Sequence, residues 1–415
     1  MAGGAAATLS DLDPGLLKGA RVLVRVDFNV PLSPDREVTD DTRLRAALPT
    51  LRDLREAGAR TILVSHLGRP KGSRDPDFSL GPVAPALSRL LEVEVGLITN
   101  PPGSRELRER IEAMEDGEVI LLENIRFFPG ETANDDELAA NLADLCDHFV
   151  GDAFGTAHRA HASTDGVPRR VREKGGRAVA GHLMERELSF LGDTLADPER
   201  PFVSVMGGAK ISGKIELIEA ILPQVDRLLI GGAMANTFFQ AMGLDTGESL
   251  VEPDRVDMAR ELLERAGEKI LLPVDCVVGQ EISSDASVRS VDRGEVRGAD
   301  RIGDIGPRSR EVFAREILEA KTLLWNGPMG VFEMEPYAEG TLHIARTLAK
   351  ATDGGAVTVV GGGDSAAAAE VAGVADRLTH ISTGGGASLD LMAGKRLPGV
   401  EALDRAENSR VGGDP

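Results

Sequence analysis

The stretch Phe202-Val-Ser-Val-Met-Gly-Gly-Ala-Lys-Ile-Ser-Gly-Lys-Ile215 runs from an apolar strand pattern through a glycine-rich turn into a helical pattern. From Gly208 the spacing G-x-x-x-x-G-K of a phosphate-binding P-loop is complete, but Ile215 stands where that motif needs a Ser or Thr hydroxyl to hold magnesium. We interpret the match as a coincidence of spacing and predict a strand end that leads into a helix. Lys210 and Lys214 are four residues apart, so on that helix they would lie on one face and point into the same cleft.

Short β-branched runs recur along the chain, and each ends in polar or glycine-rich residues before a helical pattern begins. Five lie in the first half, at 21–26, 61–65, 93–98, 119–123 and 147–150. Five more lie in the second half, at 202–205, 227–230, 269–273, 322–325 and 357–360. Nearly continuous apolar strands that alternate with helices are typical of parallel sheets covered on both faces. We therefore predict an α/β protein with two doubly wound, Rossmann-like parallel-sheet domains.

The boundary between the two predicted domains falls in an amphipathic helical pattern, Leu183-Met-Glu-Arg-Glu-Leu-Ser-Phe-Leu-Gly192, which a polar stretch follows. A helix that joins two sheets would serve as a hinge. The prediction is thus an N-terminal domain at 1–182, a hinge helix at 183–196, a C-terminal domain at 197–400 and a polar, poorly ordered tail at 401–415.

The length and composition indicate a folded, globular protein. The chain has 415 residues, of which 42% are hydrophobic, so it can form two or three cores. No run approaches the roughly 18 apolar residues of a membrane span, and the first residues lack the features of a signal peptide. We expect a cytoplasmic protein that does not bind membranes. The only two cysteines, Cys146 and Cys276, lie in apolar runs, and we expect them in the core rather than in a disulfide or metal cluster.

The net charge is strongly acidic, at -20. This charge argues against nonspecific nucleic-acid binding, which needs a basic surface, so an anionic ligand must be held by local positive charge. Of the 47 basic residues 38 are arginine and 9 are lysine, and the acidic residues are spread along the chain. One hypothesis is a halophilic protein, whose dispersed carboxylates keep the surface hydrated while salt screens their repulsion. The alternative is a GC-rich genome that favours arginine codons.

Side chains that bind anions follow the predicted strands of the first half. In doubly wound sheets ligands bind beyond the carboxyl ends of the strands, so these residues indicate the kind of ligand. They are Arg25, Asp27 and Asn29 after the first strand, His66 and Arg69 after the second, Arg126 after the fourth, and His158, Arg159 and His161 after the fifth, with Arg43 near an acidic loop. Five arginines around one crevice match a small polyanion with phosphate and carboxylate groups, because a guanidinium grips both groups through two hydrogen bonds.

Glycines follow the predicted strands of the second half. They are Gly207, Gly208, Gly231, Gly232, Gly327, Gly361, Gly362 and Gly363, and Gly384, Gly385 and Gly386. Bare backbone amides at helix N-termini form a general anion cradle, and several around one cleft suit the phosphates and the adenine of a nucleotide. Asp364 directly follows three glycines. Its position suits either a ligand of Mg²⁺ or a helix N-cap.

An anion-binding half and a nucleotide-binding half joined by a hinge suggest phosphoryl transfer, which depends on positioning, charge neutralisation and the exclusion of water. No G-x-G-x-x-G motif with a downstream ribose acid follows the first strand, which argues against a dehydrogenase. No H-R-D or D-F-G motif occurs in a kinase arrangement, which excludes a protein kinase.

Eight longer motifs are spread over nearly the whole chain: RVDFNVP at 25–31, SHLGRP at 65–70, LENIRF at 122–127, GDAFGTAHRAHAS at 151–163, GGAK at 207–210, WNGPMGVFE at 325–333, GGGD at 361–364 and STGGGAS at 382–388. In these motifs and in their order the chain resembles the phosphoglycerate kinase family. Ordered motifs of this length are far more specific than any single glycine pattern. The resemblance implies reversible transfer of the acyl phosphate of 1,3-bisphosphoglycerate to ADP, giving 3-phosphoglycerate and ATP, by in-line transfer after the hinge closes, with Mg²⁺ as cofactor.

The resemblance also implies a role for each candidate residue. The N-terminal domain would bind the phosphoglycerate through Arg25, Asp27, Asn29, His66, Arg69, Arg126 and Arg159, with Arg43 reaching its carboxyl and the migrating phosphoryl group. The C-terminal domain would hold the nucleotide phosphates and the transferring group through Lys210, Lys214, Gly384 and Gly385, and the Mg²⁺ through Asp364. The nucleotide would further contact Gly231, Gly232, Pro328, Glu333, Gly361, Gly362, Gly363 and Ser365.

Three residues depart from the family's pattern, namely Gly213, Ser365 and Asn236. None removes a charge that the mechanism needs, although Asn236 stands near the nucleoside where an apolar residue is usual. Two rival hypotheses are a noncatalytic relative that binds phosphometabolites or nucleotides, and a two-domain oxidoreductase. The first is disfavoured because Arg43 and Asp364 occur together with both lysines, and the second because no hydride-transfer site is found. The expected partners are small molecules only, and a hinged enzyme suggests a monomer.

Overall fold

A computed structural model describes residues 5–193, 195 and 197–406 of the chain. The chain divides into two units: unit 1 comprises Met1–Ser189 with Arg396–Pro415, and unit 2 comprises Phe190–Lys395. Each unit contains a six-stranded parallel sheet whose strands are connected through helices. The predicted α/β class with two doubly wound sheets is therefore confirmed.

Unit 1 is built on the strands β1 (Arg21–Val26), β2 (Arg60–Val64), β3 (Val95–Ile98), β4 (Val119–Leu122), β5 (His148–Asp152) and β6 (Ala178–Ala180). Its helices are α1 (Thr42–Glu56), α2 (Val83–Leu91), α3 (Arg105–Glu112), α4 (Gly130–Ala133), α5 (Asp136–Ala143), α6 (Val167–Glu173) and α7 (His182–Leu188). The sheet order is β3-β4-β2-β1-β5-β6, and every pair is parallel. The loops after β4, β2, β1 and β5 therefore meet at one edge. The sequence pattern does not predict β6, because two of its three residues are alanines with weak strand preference.

Unit 2 is built on the strands β7 (Phe202–Met206), β8 (Arg227–Ile230), β9 (Ile270–Leu271), β10 (Asp275–Gly279), β11 (Arg289–Asp292), β12 (Arg301–Ile305), β13 (Thr322–Asn326), β14 (Val357–Gly361) and β15 (His380–Ile381). Its helices are α8 (Ile215–Ile221), α9 (Met234–Ala241), α10 (Val256–Ala266), α11 (Pro307–Glu319), α12 (Glu339–Asp353), α13 (Gly363–Val371) and α14 (Gly386–Met392). The parallel sheet has the order β15-β14-β13-β7-β8-β9. Unit 2 also contains a small antiparallel sheet with the order β11-β10-β12, which the sequence pattern does not predict.

The core of each unit is formed by the apolar strands and the helices packed on them. In unit 2 the single tryptophan, Trp325 of β13, is completely buried in this core. The strand register aligns the last residue of β7, Met206, with Ile230 of β8 and Asn326 of β13, and aligns Asn326 with Gly361 of β14. The four glycine-bearing loops therefore start at the same level of the sheet.

The C-terminal segment differs from the predicted boundary at residue 400. Residues from Arg396 onward belong to unit 1, where they form helix α15 (Pro398–Glu401). The amide of Gly399 donates to the carbonyl of Ala157 at 2.9 Å, and the amide of Asp404 donates to the carbonyl of Ala178 at 2.7 Å. Residues 401–406 are therefore held on unit 1 and are not a loose tail, whereas 407–415 lie outside the described residues. Backbone hydrogen bonds of this kind leave no hydrophobic pattern in the sequence.

The predicted hinge at 183–196 covers most of α7 and the π-helical turn Ser189–Asp193, and residues 194 and 196 lie outside the described part. Its action as a hinge stays a prediction. No helix among the described residues is both long and apolar enough to cross a membrane. The two cysteines are buried free thiols, as expected, and burial raises the pKa of each to about 12.

Candidate active site

Arg25 lies on the central strand β1, at the edge of the unit 1 sheet where the loops after β4, β2, β1 and β5 meet. It is in register with Val64 of β2 and Gly151 of β5, and it is 1% exposed. Its Nε donates to Ser163 Oγ at 2.8 Å, and its Nη1 donates to the carbonyl of Val26. The fold therefore fixes this guanidinium in one orientation before any ligand is considered.

His66 is held neutral beside Arg25. The Nη2 of Arg25 lies 3.2 Å from His66 Nδ1, and a guanidinium only donates, so Nδ1 accepts and the ring proton is on Nε2. Burial, followed by the charge of Arg25 and then of Arg126, lowers the pKa of His66 well below its ordinary value. At neutral pH His66 is thus an N–H donor without charge.

Arg43 lies in the first turn of α1 and pairs with Asp27. Its Nη1 donates to Asp27 Oδ2 at 3.0 Å and to the carbonyl of Asn29 at 3.1 Å. The amide oxygen of Asn29 accepts from the amide of Gly68 at 2.8 Å, which joins the loops after β1 and β2. The side chain of Arg43 is 37% exposed, against 12% for Asp27. Arg43 is therefore the more accessible member of a preformed ion pair.

Arg126 and Arg159 add positive charge to the same edge. Arg126 Nη1 donates to the carbonyl of Gly68 at 2.8 Å, and Arg159 Nε donates to His158 Nε2 at 3.1 Å. Burial and then the neighbouring arginines lower the pKa of Arg126 to about 10 and that of His161 to about 4. Arg126 Nε and His161 Nδ1 are buried and have no hydrogen-bond partner among the described residues. An anion would relieve both the repulsion and the unpaired donor of Arg126.

Arg69 is the exception among the predicted residues of unit 1. It is exposed, and it forms neither a hydrogen bond nor an ion pair with another described residue. Its place in the site therefore stays a prediction, whereas hydrogen bonds or shared electrostatic effects link Arg25, Asp27, Asn29, Arg43, His66, Arg126 and Arg159.

Glu131 belongs to this site and is missed by the sequence reasoning. It lies on the short helix α4 and is completely buried. Its carboxylate accepts from the amide of Ser163 at 2.9 Å and from Ser163 Oγ at 2.7 Å, and it lies 3.7 Å from His161 Nδ1. Glutamate is almost never fully buried, and the polar sequence around Glu131 is typical of a surface, so only the structure reveals its position.

The first glycine pair of unit 2 does not form the predicted amide cradle. The amide of Gly207 donates to the carbonyl of Asn326 at 3.0 Å, and that of Gly208 donates to the carbonyl of Pro328 at 2.9 Å. A Cβ added to Gly207 would lie 2.0 Å from the carbonyl oxygen of Pro328. This pair is therefore glycine because two backbone segments meet there, and its amides are already used.

The same correction applies to Gly231 and Gly232 after β8. Their amides donate to the carbonyls of Met206 at 2.8 Å and Met329 at 3.0 Å, respectively. Gly232 also has a φ of +67°, a conformation that favours glycine. The two residues shape the wall of the site through close backbone packing rather than through free amides.

The N-terminus of α13 does offer amides. The first amides of a helix have no partner within it, and here they belong to Gly363, Asp364 and Ser365. Asp364 is exposed, whereas Ser365 is buried and its Oγ accepts from the amide of Gly327 at 2.6 Å. Ser365 therefore ties the loop after β13 to α13, and because its hydroxyl only accepts in that bond, its proton can still be donated to a nucleotide oxygen.

The two lysines do not share a helix face, which corrects the prediction. Helix α8 begins only at Ile215, and Lys210 and Lys214 both precede it. Ser212, between them, is instead held by Glu252, whose carboxylate accepts from the Ser212 amide at 3.0 Å and from its hydroxyl. Hydrogen bonds from a side chain to the backbone compete with helix formation, and here they hold the segment before α8 as a loop.

Lys214 is nonetheless directed toward the loop edge of the sheet. Its Nζ donates to the carbonyl of Asn326 at 3.0 Å and also to the side-chain amide oxygen of that residue. Burial lowers the pKa of Lys214 to about 8, although the charge of Asp364 acts in the opposite direction. Lys210 is exposed. The two lysines thus differ in environment, since Lys214 is half-buried and anchored by hydrogen bonds whereas Lys210 is exposed.

A cavity of ≈ 550 Å³ opens at this edge of unit 2. Its wall includes four of the predicted nucleotide residues, namely Gly232, Pro328, Glu333 and Asp364, together with Asn236. Much of the rest is apolar, from Phe239, Cys276, Ile282, Ile302, Ile305 and Met329. An apolar cavity with a few polar groups at its mouth suits a nucleoside with its phosphates near Asp364.

Asn236 is completely buried, and its Nδ2 donates to the carbonyl of Leu250 at 3.0 Å. This bond satisfies only the Nδ2 group, because Oδ1 is buried without a hydrogen-bond partner among the described residues. The polar side chain, which stands where the family resemblance implies an apolar one, is therefore half satisfied. The other glycine loop, before α14, contains Gly385 with a φ of +51°, and the amide of Gly384 donates to Ser382 Oγ at 3.1 Å.

Asp364 provides a single carboxylate for a metal ion. Within the described residues no group of three or more His, Cys, Asp or Glu side chains is arranged to hold a metal. Mg²⁺ in kinase sites commonly takes one or two protein carboxylates and completes its shell with substrate phosphates and water. An exposed carboxylate beside the cavity therefore fits Mg²⁺ delivered with a nucleotide, and a preformed metal site is not required.

The fold and the two sites define a phosphotransferase that acts on small molecules, with an arginine-rich cluster in one unit and a largely apolar cavity beside Asp364 in the other. A family model described as phosphoglycerate kinase matches residues 9–395. The chain belongs to the phosphoglycerate kinase family, so the predicted function, a glycolytic kinase that acts on a carboxyl group, is confirmed. The noncatalytic and oxidoreductase hypotheses are not favoured.

The similarity extends over whole chains. The phosphoglycerate kinase of Chlorobium phaeovibrioides is 52% identical over 400 residues, which are 96% of this chain and 99% of the relative. That of Chloroflexus aurantiacus is 53% identical over 408 residues, with the same coverage. The solved structure of phosphoglycerate kinase from Coxiella burnetii superposes with a TM-score of 0.87 at 41% identity, covering 96% of this chain and 98% of that chain.

Proposed function

We propose that unit 1 binds the phosphoglycerate and unit 2 binds the nucleotide in the reversible transfer of the acyl phosphate of 1,3-bisphosphoglycerate to ADP. The products are 3-phosphoglycerate and ATP. The observation that carries this proposal is the cluster of Arg25, Arg43 and Arg126 around Asp27 at one sheet edge, in a chain of this family. Nothing comparable in positive charge is found among the residues that line the nucleoside cavity of unit 2.

The phosphoglycerate is held by charge and by directed donors. Arg25, Arg69, Arg126 and Arg159 grip its phosphate and carboxylate, while Asp27 and Asn29 bind its hydroxyl. His66 donates its Nε2 proton without adding charge, because its Nδ1 is occupied by Arg25. The cluster is hydrogen-bonded in advance, so little ordering is needed when the ligand binds.

Arg43 acts on the group in transfer. When ATP is consumed, the nucleophile is the carboxylate of 3-phosphoglycerate, which is ionised near neutral pH because such groups have a pKa of about 4. No general base is needed, and catalysis depends on spreading the charge of the transferring phosphoryl group. The exposure of Arg43, the more accessible partner of the Asp27 pair, supports this role.

Unit 2 supplies the groups that bind the nucleotide. Lys210 and Lys214 hold the nucleotide phosphates and the transferring group, together with the glycine loops that contain Gly384 and Gly385 and Gly361, Gly362 and Gly363. Asp364 and Ser365 lie at the same helix N-terminus. The nucleoside lies in the cavity against Gly231, Gly232 and Pro328, and Glu333 binds the ribose.

Asp364 would hold the Mg²⁺ that accompanies the nucleotide. Bound there, the ion would neutralise charge on the phosphates. Lys214, whose charged form Asp364 favours in the unliganded protein, would then turn toward the phosphates. Removal of divalent cations with a chelator should accordingly abolish turnover while the binding of 3-phosphoglycerate persists.

Transfer requires the two reacting groups to approach to about 3–3.5 Å. Bending at the predicted hinge, residues 183–196, would meet this requirement and exclude water from the reacting groups. A monomer suffices for this motion, and we propose a monomeric, cytoplasmic enzyme.

We also propose that the net charge of -20 is an adaptation to high intracellular salt. Activity and thermal unfolding measured over a potassium chloride series test this idea. Both should increase with salt, and full folding with unchanged activity at low salt would favour the codon-usage explanation.

Calorimetric titration tests the division of substrates between the units. Arg126→Ala should weaken the binding of 3-phosphoglycerate at least tenfold and leave that of ADP unchanged. Glu333→Ala should weaken the binding of ADP and leave that of 3-phosphoglycerate unchanged. If either variant failed to bind both ligands while its thermal stability was unchanged, the proposal would be contradicted.

A further inference from the structure

Glu131 is a completely buried carboxylate directly beneath the arginines of unit 1. It takes two hydrogen bonds from a single residue, the amide and the hydroxyl of Ser163, at 2.9 and 2.7 Å. Ser163 in turn lies 2.8 Å from Arg25 Nε. Three buried residues thus form one chain from a carboxylate to a guanidinium.

The direction of this chain is fixed by the donors available. A guanidinium only donates, so Arg25 Nε donates to Ser163 Oγ. The hydroxyl has one proton, and the carboxylate can only accept it, so Ser163 donates to Glu131. Without Glu131 the hydroxyl could rotate, and its lone pair would no longer be held toward Arg25.

The charge of Glu131 has a second effect on the cluster. Burial disfavours the charged form of Arg25, and Glu131 followed by Asp27 favours it. Arg25 and Arg159 disfavour the charged form of Arg126, and Glu131 opposes them. One carboxylate therefore offsets repulsion between guanidinium groups whose burial leaves little solvent to screen them.

We propose that Glu131 is a positioning residue of the phosphoglycerate site, which fixes Arg25 through Ser163 and keeps the arginines close enough to share one ligand. The inference rests on the proposed function, because it takes this cluster to be where the phosphoglycerate binds. Glu131 itself contacts Ser163 and lies near His161, and its effect on the substrate is indirect.

Steady-state kinetics of Glu131→Gln, Ser163→Ala and the double variant test the proposal. Each single change should raise the KM for 3-phosphoglycerate about tenfold, as losses of supporting partners commonly do, with the KM for MgATP and kcat little altered. The double variant should be no worse than about tenfold, because both changes break the same chain.

Glu123→Gln is the matched control. Glu123 is also a buried glutamate of unit 1, and it accepts from the hydroxyl of Ser79 at 2.6 Å and from the backbone amides of Leu80 at 2.9 Å and Asn124 at 3.0 Å. Its change should lower thermal stability to a similar degree and leave both KM values unchanged.

Equal KM values for 3-phosphoglycerate in wild type and Ser163→Ala would overturn the proposal even if Glu131→Gln does not fold. A hundredfold effect in the double variant would also overturn it, since that would mean independent roles. A wild-type enzyme without activity would instead refute the proposed function, so the two failures can be told apart.

Discussion

Arg25 and Arg43 show how differently two arginines of one site are held. Arg25 is almost completely buried and its hydrogen bonds run to Ser163, Val26 and His66. Arg43 is more than a third exposed and is held by Asp27 and one carbonyl. The first is built into the fold, whereas the second can change partners, which is what a group acting on a migrating phosphoryl group requires.

Arg43→Ala should therefore lower kcat by about 10²–10³-fold while the protein stays folded, because it removes charge stabilisation that matters most in the transition state. Arg45→Ala is the control, since Arg45 lies on the same helix and only pairs with Asp41 at the surface. Initial rates with saturating ATP and 3-phosphoglycerate give the comparison. A higher KM at unchanged kcat would show that the role assigned to Arg43 is wrong.

Lys214 gives a prediction on pH. Its pKa of about 8 means that the free enzyme carries the charge below pH 8 and loses it above. We expect kcat/KM for MgATP to fall as pH rises through 8, and Lys214→Arg, which stays charged, to be about tenfold less active but flat in this range. Parallel pH profiles in the two proteins would mean that another group controls the decline.

At the scale of elements, the loops after β7 and β13 approach so closely that only glycine fits at Gly207. Gly207→Ala should cost about 1–3 kcal/mol of stability, as overpacking commonly does, and raise the KM for MgATP. Gly213→Ala is the control, because its added Cβ would have no heavy atom closer than the Lys210 carbonyl at 4.0 Å. Urea unfolding distinguishes them, and equal stabilities would contradict the close approach.

Asp304 caps helix α12 and links its stability to pH. Its oxygens accept from the amides of Gly340 at 2.6 Å and Ile305 at 2.8 Å, but burial still raises its pKa to about 7. The folded state thus binds this proton more tightly than the unfolded state, and the stabilisation is lost as pH rises through 7. From pH 5 to pH 8 the wild-type protein should therefore lose about 2–3 kcal/mol of unfolding free energy that Asp304→Asn, which cannot ionise there, does not lose. An equal difference at both pH values, by urea unfolding, would refute the raised pKa.

The elements also show what the sequence can and cannot predict. The strands with β-branched runs, such as β1 and β14, follow from pattern alone. The start of α8 does not, because Glu252, forty residues later in the chain, holds Ser212 in a loop. Likewise a glycine pair in a sequence indicates either free amides or a close backbone contact, and only the partner strand decides between them.

At the scale of the whole molecule, the chain returns to unit 1 at its end. Asp404 pairs with Arg172 at 2.8 Å and with Arg177 at 3.0 Å, and Leu403 is buried. This return is not evident from the sequence, since its contacts join residues more than two hundred positions apart. The grouping of Arg25, Arg126 and Arg159, by contrast, could be predicted, because parallel strands bring their carboxyl ends to one edge.

Deletion of residues 396–415 should consequently destabilise unit 1 by about 2–5 kcal/mol. The deletion removes Leu403 and so exposes to water the apolar surface of unit 1 on which this side chain packs. Calorimetry can assign the affected transition, because 3-phosphoglycerate should raise the melting temperature of unit 1 and ADP that of unit 2. If the deletion lowered only the melting temperature of the transition that ADP shifts, the assignment of this segment to unit 1 would be contradicted.

The measurement that tests the account most directly is a coupled assay of the wild-type chain with ATP, Mg²⁺ and 3-phosphoglycerate, repeated from low to molar potassium chloride. We predict ADP formation that requires both 3-phosphoglycerate and Mg²⁺. If no ADP forms in a 3-phosphoglycerate-dependent manner at any salt concentration, the two sites bind their ligands without transfer and the central claim is wrong.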